Sequence, residues 1–211
     1  MINVIIADDH AIVRAGLKQI LSECLDMEVT DEAVDGQDLL EKVRKKGCDV
    51  ILLDISMPGR SGLEILKQLK VEKPRIPVLV LSMHPEEQYA IRTLKAGASG
   101  YLTKETASDK LIEAIRIVYN GGKYISQTLA EALADNITSD KEGPPHECLT
   151  DREYQVFCMI ASGKAVSEIA KELFLSVKTI STYRRRILDK MNMKKNTELT
   201  YYAIENNIES L

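Results

Sequence analysis

The chain has 211 residues, of which 45% are hydrophobic and 28% charged, with a formal net charge of −4 at pH 7. That length suits one large domain or two small ones with buried cores, and the composition excludes a chain that is mostly disordered. The apolar runs, such as Val78 to Leu81, are too short to span a bilayer, and Met1-Ile2-Asn3-Val4 carries neither a basic region nor a small-residue cleavage site. The expectation is a cytoplasmic protein with no membrane partner. The 4 cysteines, Cys24, Cys48, Cys148 and Cys158, show no CxxC spacing. Free thiols are therefore expected, and neither a zinc ribbon nor a disulfide framework.

Charge is unevenly spread. Residues 1–147 hold 18 Lys and Arg against 24 Asp and Glu, whereas residues 148–211 hold 10 against 8. The acidic total thus conceals a locally basic C-terminal segment.

In chain order, Asn3 to Ala7 reads as a short apolar strand that runs into Asp8-Asp9. Val13, Leu17, Ile20, Leu21 and Cys24 recur at helical spacing, and Glu28 to Val34 is a weaker strand. Leu39, Leu40 and Val43 mark a helix. Val50 to Leu53 is a continuous apolar strand ending at Asp54, and Leu63, Ile65, Leu66 and Leu69 mark the next helix. Val78 to Leu81 ends at Ser82, and Tyr89, Ile91, Leu94 and Ala98 lie on a helix. Ser99 to Thr103 is a last strand ending at Lys104, and Leu111, Ile112, Ile115 and Val118 form a helix that Gly121-Gly122 stops. Continuous apolar strands alternating with amphipathic helices imply an α/β fold: a doubly wound, five-stranded parallel sheet with helices on both faces.

From Ile137 to Glu147 the chain is polar and contains Pro144-Pro145, which reads as a linker, preceded by a helical extension through Leu129 to Ala134. Thr150 and Glu153 fit a capping box that opens a helix containing Tyr154, Val156, Phe157 and Ile160 and ended by Gly163. Val166, Ile169, Ala170 and Leu173 form a second helix, and Phe174-Leu175-Ser176 is a tight break. Val177 to Met191 is a third helix, and Thr197 to Asn206 a fourth. The expected division is a first domain at 1–122, a linker at 123–147 and a smaller all-α domain at 148–211.

Asp8, Asp9, Asp54, Ser82 and Lys104 all fall at strand ends, which converge on one edge of a parallel sheet, where ligands bind. Three carboxylates there repel one another unless a cation sits among them, and an all-oxygen, partly solvated set suits Mg²⁺. A lysine and a hydroxyl beside that cation complement a phosphoryl group, and a carboxylate in such a setting can accept one as nucleophile. Singly, each residue reads as a helix cap or a solvated charge. Together, at five ordered strand ends, they read as a site.

The order Asp8-Asp9, Asp54-x-x-Met57-Pro58-x-x-x-Gly62, Ser82 and Lys104 resembles the flavodoxin-like receiver domain of bacterial two-component response regulators. The resemblance implies Asp54 as phosphoacceptor and Asp9, Asp54 and the Ser56 backbone carbonyl as direct Mg²⁺ ligands, with Asp8 acting through a metal-bound water. It implies Lys104 and Ser82 as phosphoryl contacts, Tyr101 as an aromatic switch, and Ser56 and His84 as flanks of the attack path. Many receivers have Lys-Pro where Lys104-Glu105 stands, so a trans peptide is expected here.

In the C-terminal segment, Lys178, Arg184, Arg185, Arg186 and Lys190 share one helix with a single acid, Asp189. Two short helices joined by a tight turn, the second basic, describe a helix-turn-helix. Leu149-Thr150-x-Arg152-Glu153, Gly163, Glu168-Ile169-Ala170, Leu173, Ser176-x-x-Thr179-Ile180 and Lys190-Met191 resemble the LuxR/NarL-type DNA-binding domain. That resemblance implies Ser181, Thr182 and Arg185 toward bases, and Lys178, Thr179, Arg184 and Arg186 toward phosphates. The helix with Leu199, Tyr202 and Ala203 resembles the family's dimer-forming helix. The whole chain thus resembles the NarL/FixJ class, leaning toward its GacA/UvrY-like members. What this implies is a regulator and not an enzyme, phosphorylated by a sensor histidine kinase. It would form a homodimer when phosphorylated and bind a double-stranded DNA operator, with RNA polymerase a further candidate partner. Two other readings stay open on the residues alone: a Mg²⁺-dependent phosphohydrolase with Asp54 as nucleophile, and a DNA binder without a phosphoryl switch.

Overall fold

A computed structural model describes residues 1–57, 59–83, 86–127, 129–131, 144–206 and 208, leaving aside the side chains of Glu87 and Gln88. Pro58 and His84, both singled out from the sequence, lie outside the described residues. Two compact units are present, Met1–Asn136 and Ile137–Leu211.

The first unit alternates strand and helix: β1 (Ile2–Ala7), α1 (Ala11–Ser22), β2 (Met27–Ala33), α2 (Gly36–Lys45), β3 (Val50–Asp54), α3 (Gly62–Glu72), β4 (Val78–Ser82), α4 (Glu86–Lys95), β5 (Gly100–Thr103) and α5 (Ala107–Tyr119). The sheet is parallel throughout, in the order β2-β1-β3-β4-β5. Strand direction of travel reverses between β1 and β3, which makes the crevice beyond their carboxyl ends the topological switch point.

The sheet is a closed apolar layer because both of its faces are covered. Val4, Ile6, Val50, Leu52, Leu79, Leu81 and Leu102 pack with Leu17 and Leu21 of α1 and Leu111, Ala114, Ile115 and Val118 of α5. By strand alternation Ile5, Ile51, Leu53, Val80 and Tyr101, all fully buried, point to the opposite face. β2 sits at the edge and carries the charge a sheet edge needs: Glu32 pairs with Arg14 and Lys18, and Asp31 with Lys42. Asp35 starts α2, its carboxylate accepting the Asp38 N–H at 2.8 Å.

Several boundaries differ from the sequence expectation by one residue. Asp54 and Ser82 are the last residues of β3 and β4 and do not follow them, since each still pairs with the neighbouring strand. β2 begins at Met27 and β5 at Gly100. The first unit also reaches past residue 122, where a linker was expected. The Tyr124 N–H donates to the Ser99 carbonyl at 2.9 Å, and Tyr124 bridges to Gly100, where a Cβ would stand 2.8 Å from that of Tyr124. Leu129 is buried, and Ser126 accepts its N–H at 3.1 Å. Of the expected extension through Ala134, the part beyond residue 131 lies outside the described residues.

Among its described residues the second unit has a 3-10 turn (Pro145–Cys148) and four helices, α6 (Asp151–Ala161), α7 (Val166–Glu172), α8 (Val177–Lys190) and α9 (Asn196–Glu205). The capping box at Thr150 and Glu153 is present as expected. Glu153 also meets Lys190, its carboxylate 2.6 Å from the ammonium, so the start of α6 is fastened to the end of α8. Arg152 is buried and donates to Gln155 at 2.7 Å and to the Leu173 carbonyl at 3.4 Å, tying α6 to the end of α7. The Thr150-x-Arg152-Glu153 motif is thus a folding device. His146 joins the same body, its Nδ1 2.8 Å from the Tyr202 hydroxyl.

Candidate functional site

The sheet register builds the site. Ala7 pairs with Leu53, so the next residues, Asp8 and Asp54, are neighbours across the switch point. Ser82 pairs with Thr103, which brings the chain after β5 beside β4. The Lys104 N–H donates to the Ser82 carbonyl at 2.8 Å. From there the Lys104 ammonium reaches both carboxylates, 2.7 Å from Asp8 Oδ2 and 2.7 Å from Asp54 Oδ2.

Asp8, Asp54 and Ser82 are almost fully buried, at 1%, 1% and 0% exposure. Burial pushes the Asp54 carboxyl above the usual carboxylate range, and the neighbouring Asp8 adds to the rise against the pull of Lys104 and the Ser56 N–H. For Lys104 burial acts downward, but Asp54 and Asp8 outweigh it and raise the ammonium above its ordinary value. The Ser56 N–H donates to Asp54 Oδ1 at 2.8 Å, and the His10 N–H to Asp8 Oδ1 at 2.8 Å. Asp8 Oδ2 faces the Lys104 ammonium, 2.7 Å away.

Gly62 holds the loop after β3 in place. A Cβ there would stand 2.4 Å from the Ile55 Cα and 2.8 Å from its carbonyl oxygen, so only glycine admits that close approach. This accounts physically for glycine at that point of the motif. Tyr101 is wholly buried, at 0% exposure, where a half-buried strand tyrosine is the ordinary expectation. The Lys104–Glu105 peptide is trans as expected.

The sequence reading missed His10. Its Nδ1 lies 3.0 Å from Asp9 Oδ1 and 3.2 Å from Asp8 Oδ1. One ligand atom from each of Asp8, Asp9, His10 and Asp54 lies within 4.8 Å of all the others, the one such grouping among the described residues. The three carboxylates, offset by a single ammonium, form an oxygen-rich donor set that fits a divalent cation. The only signal in the sequence is adjacency: His10 directly follows Asp8-Asp9.

In the second unit α8 buries Ile180, Ile187 and Leu188 and turns Lys178, Ser181, Thr182, Arg185 and Arg186 outward. Ser176 caps it by accepting the Thr179 N–H at 3.0 Å. Thr179 and Arg184 are half-buried. The Arg184 Nε donates to Asn196 Oδ1 at 2.6 Å, which commits part of its guanidinium to the start of α9. Lys190, counted with the basic face in the sequence, is paired with Glu153 instead. On α9, Leu199 and Ala203 are buried within the unit and Tyr202 is half-buried, whereas Tyr201 and Ile204 face outward at 63% and 70% exposure. The four cysteines are free thiols, and burial pushes Cys48 up to about 11. Among the described residues no helix is long and apolar enough to cross a membrane.

Comparison with known proteins agrees with this geometry. Residues 4–116 match the response regulator receiver domain, and residues 147–203 match the bacterial regulatory proteins of the luxR family. The chain is 38% identical over 209 residues to the response regulator UvrY of Escherichia coli (strain K12), covering 99% of this chain and 96% of that protein. It is 37% identical over 205 residues to the response regulator GacA of Pseudomonas aeruginosa, covering 97% and 96%. Among solved structures, RcsB of Salmonella enterica serovar Typhimurium, bound to promoter rprA in the presence of the phosphomimetic BeF3−, aligns with a TM-score of 0.68 at 27% identity over 95% of this chain and 97% of that one. The chain belongs to the response regulators, joining a receiver domain to a luxR-family DNA-binding domain.

Proposed function

We propose that Asp54 accepts a phosphoryl group from a sensor histidine kinase, and that its phosphorylation governs dimerisation and operator binding by the luxR-family unit. The observation that carries this reading is the placement of one buried carboxylate, Asp54, against Lys104 at 2.7 Å and beside Asp8 and Asp9. An Asp54 carboxylate oxygen attacks phosphorus as the phosphorus–nitrogen bond to the kinase histidine breaks, and the imidazole leaves. Lys104 lies where it can neutralise the phosphoryl oxygens, and Ser82 ends the adjacent strand where a hydroxyl can hydrogen-bond to them. Asp8, Asp9 and Asp54, with the Ser56 carbonyl, would hold Mg²⁺, which supplies charge neutralisation to the incoming group. The regulated output is transcription; no turnover of other substrates is proposed.

On the second unit, Ser181, Thr182 and Arg185 face base edges in this reading, and Lys178, Thr179, Arg184 and Arg186 face phosphates. Tyr201 and Ile204 are the apolar residues that α9 leaves outward, and they supply a face for a second copy. Two copies would present two α8 helices to paired half-sites in a roughly palindromic operator, in the cytoplasm.

The test is incubation with Mg²⁺ and acetyl phosphate, followed by intact mass, size-exclusion elution and operator binding, with Asp54→Asn as control. A phosphoryl adduct that requires Asp54 and shifts the protein toward dimer is the expected result. An unmodified mass after exposure to the donor overturns the reading.

A further inference from the structure

We infer that Lys70 and Lys123 form a binding site for a phosphate-class dianion at the amino-terminal edge of the sheet, at the other end of the strands from Asp54. The inference is independent of phosphoryl transfer to Asp54.

Lys70 lies in the last turn of α3, where a lysine ordinarily answers the carbonyls of its own helix. Its ammonium instead reaches past the helix and donates to the Ile76 carbonyl at 2.6 Å, shortly before β4. Lys123 donates to the Ala98 carbonyl at 2.5 Å, shortly before β5. The Lys70 stem crosses Gly97, where φ is +104° and a Cβ would stand 2.9 Å from Lys70 Cγ. Glycine at 97 leaves the space that the stem occupies. The two lysines therefore meet the same short segment, residues 97–98.

The strand register sets their separation. Leu79 lies opposite Gly100, which continued backward sets Pro77 opposite Ala98. The carbonyls of Ile76 and Ala98 thus sit on adjacent chains, about 5–6 Å apart. One phosphate group can bridge two ammoniums so held, with N–H···O bonds of about 2.8 Å to each.

Each ammonium carries three N–H donors and uses one on a carbonyl. Among the described residues neither lysine has a carboxylate partner, so the other donors on each stay uncommitted. Burial draws the Lys70 ammonium below its ordinary value, and the charge of Lys123 adds to the fall. Glu72, the one acid among residues 67–77, is engaged with Arg44 at 2.6 Å. Those residues hold 4 basic side chains against that acid, within a stretch, 1–147, that is acidic as a whole at 18 against 24. Two like charges fixed side by side by backbone carbonyls are relieved by an anion between them. A carboxylate would cancel one of the two charges. A phosphomonoester, with a charge of about −1.5 to −2 at neutral pH and three acceptor oxygens, answers both.

The experiment is an amide NMR titration of the full-length, ¹⁵N-labelled protein in chelator at constant ionic strength, with inorganic phosphate, adenosine monophosphate and acetate. The readout is the Gly97, Ala98 and Tyr124 amides, so that phosphate on the basic face of α8 is not counted. Lys70→Met and Lys123→Met keep the alkyl stems, and Lys70→Arg keeps the charge. The expected result is saturable phosphate binding that weakens about tenfold in each methionine variant and stays within about threefold in Lys70→Arg, with acetate at least about tenfold weaker than phosphate. Lys123 is exposed, so Lys123→Met decides the matter where Lys70→Met loses stability. Equal binding of the two phosphates assigns the site to the free ion; adenosine monophosphate binding tighter by about tenfold or more assigns it to an organic monoester. Shifts that do not saturate, unchanged affinity in the methionine variants, or acetate binding as well as phosphate overturns the inference.

Discussion

Lys104, just beyond β5, places its ammonium 2.7 Å from Asp54 at the end of β3, reaching across the width of β4. Its backbone N–H is held by the Ser82 carbonyl at the end of β4. One residue therefore joins three strand ends, and any change of charge on Asp54 is felt at β4 and β5 together.

Removing that ammonium strands two buried carboxylates. Lys104→Met should destabilise the receiver by about 3–5 kcal/mol at neutral pH, the range for breaking a buried pair by deleting one partner. Millimolar Mg²⁺ should return much of the loss by replacing the missing positive charge. Urea unfolding with and without Mg²⁺ checks both halves. A variant as stable as the wild type in chelator would show that Asp8 and Asp54 do not depend on Lys104.

Asp54 gives a pH dependence with a definite sign. Its folded pKa lies above its unfolded one because of burial. The stability it contributes is thus fully present below the ordinary carboxylate pKa of about 3.9 and is lost as pH rises through the folded value. At neutral pH the ionised group is a net cost. Asp54→Asn should then be more stable than the wild type at pH 7 in chelator, by roughly 1 kcal/mol, with the gap closing as pH falls toward 4. A gap that stays constant across that range would refute the account. Lys104, raised as well, adds stability that is lost only as alkaline pH passes its folded value.

The residues read from the sequence reach the site because continuous apolar strands fix the sheet, and chain order then fixes which ends converge. Asp8, Asp9, Asp54, Ser82 and Lys104 needed nothing more. His10 was hidden because a histidine after two aspartates reads locally as the start of a helix, and only side-chain placement shows it over the carboxylates. Arg184 and Lys190 are counted with the basic helix in the sequence, and their other contacts stay hidden, because helical spacing says which face a residue is on, not what a distant segment offers it. Their partners, Asn196 and Glu153, come from other elements. The docking of Tyr124 on Gly100 was hidden by Gly121-Gly122, which ends α5 but does not end the packed body.

The basic face of α8 should divide in its response to mutation. Arg184 donates to Asn196 and is half-buried, while the Arg185 side chain is 86% exposed with only a 3.9 Å contact to Asp189. Arg184→Ala should destabilise the DNA-binding unit by about 1–2 kcal/mol and so lower its thermal midpoint, as well as weaken operator binding. Arg185→Ala should weaken binding by about 1–3 kcal/mol at an unchanged midpoint. Calorimetry and fluorescence anisotropy on the same preparations separate the two. Identical behaviour of the variants in both assays would mean that the Asn196 contact does not matter.

The turn before α8 carries a conformational cost that can be removed. Phe174 has φ of +54° and its ring is 73% exposed. Its N–H donates to the Lys171 carbonyl at 3.2 Å and the next N–H, from Leu175, to the Ala170 carbonyl at 2.9 Å, the pair of bonds that closes a helix through a left-handed residue. The same closure ends α5, α6 and α8, where the left-handed residue is Gly121, Gly163 or Asn192. Only at Phe174 does a bulky side chain stand there, and a left-handed conformation costs such a residue about 1–2 kcal/mol. The exposed ring recovers little of this through burial. Phe174→Gly should therefore raise the stability of the second unit by about 0.5–1 kcal/mol, the backbone gain being partly offset by the greater freedom of glycine in the unfolded chain. A thermal melt of the two proteins decides it. If the glycine variant melts lower, packing of the Phe174 ring outweighs its backbone strain, and the ring, not the turn, is what stabilises the approach to α8.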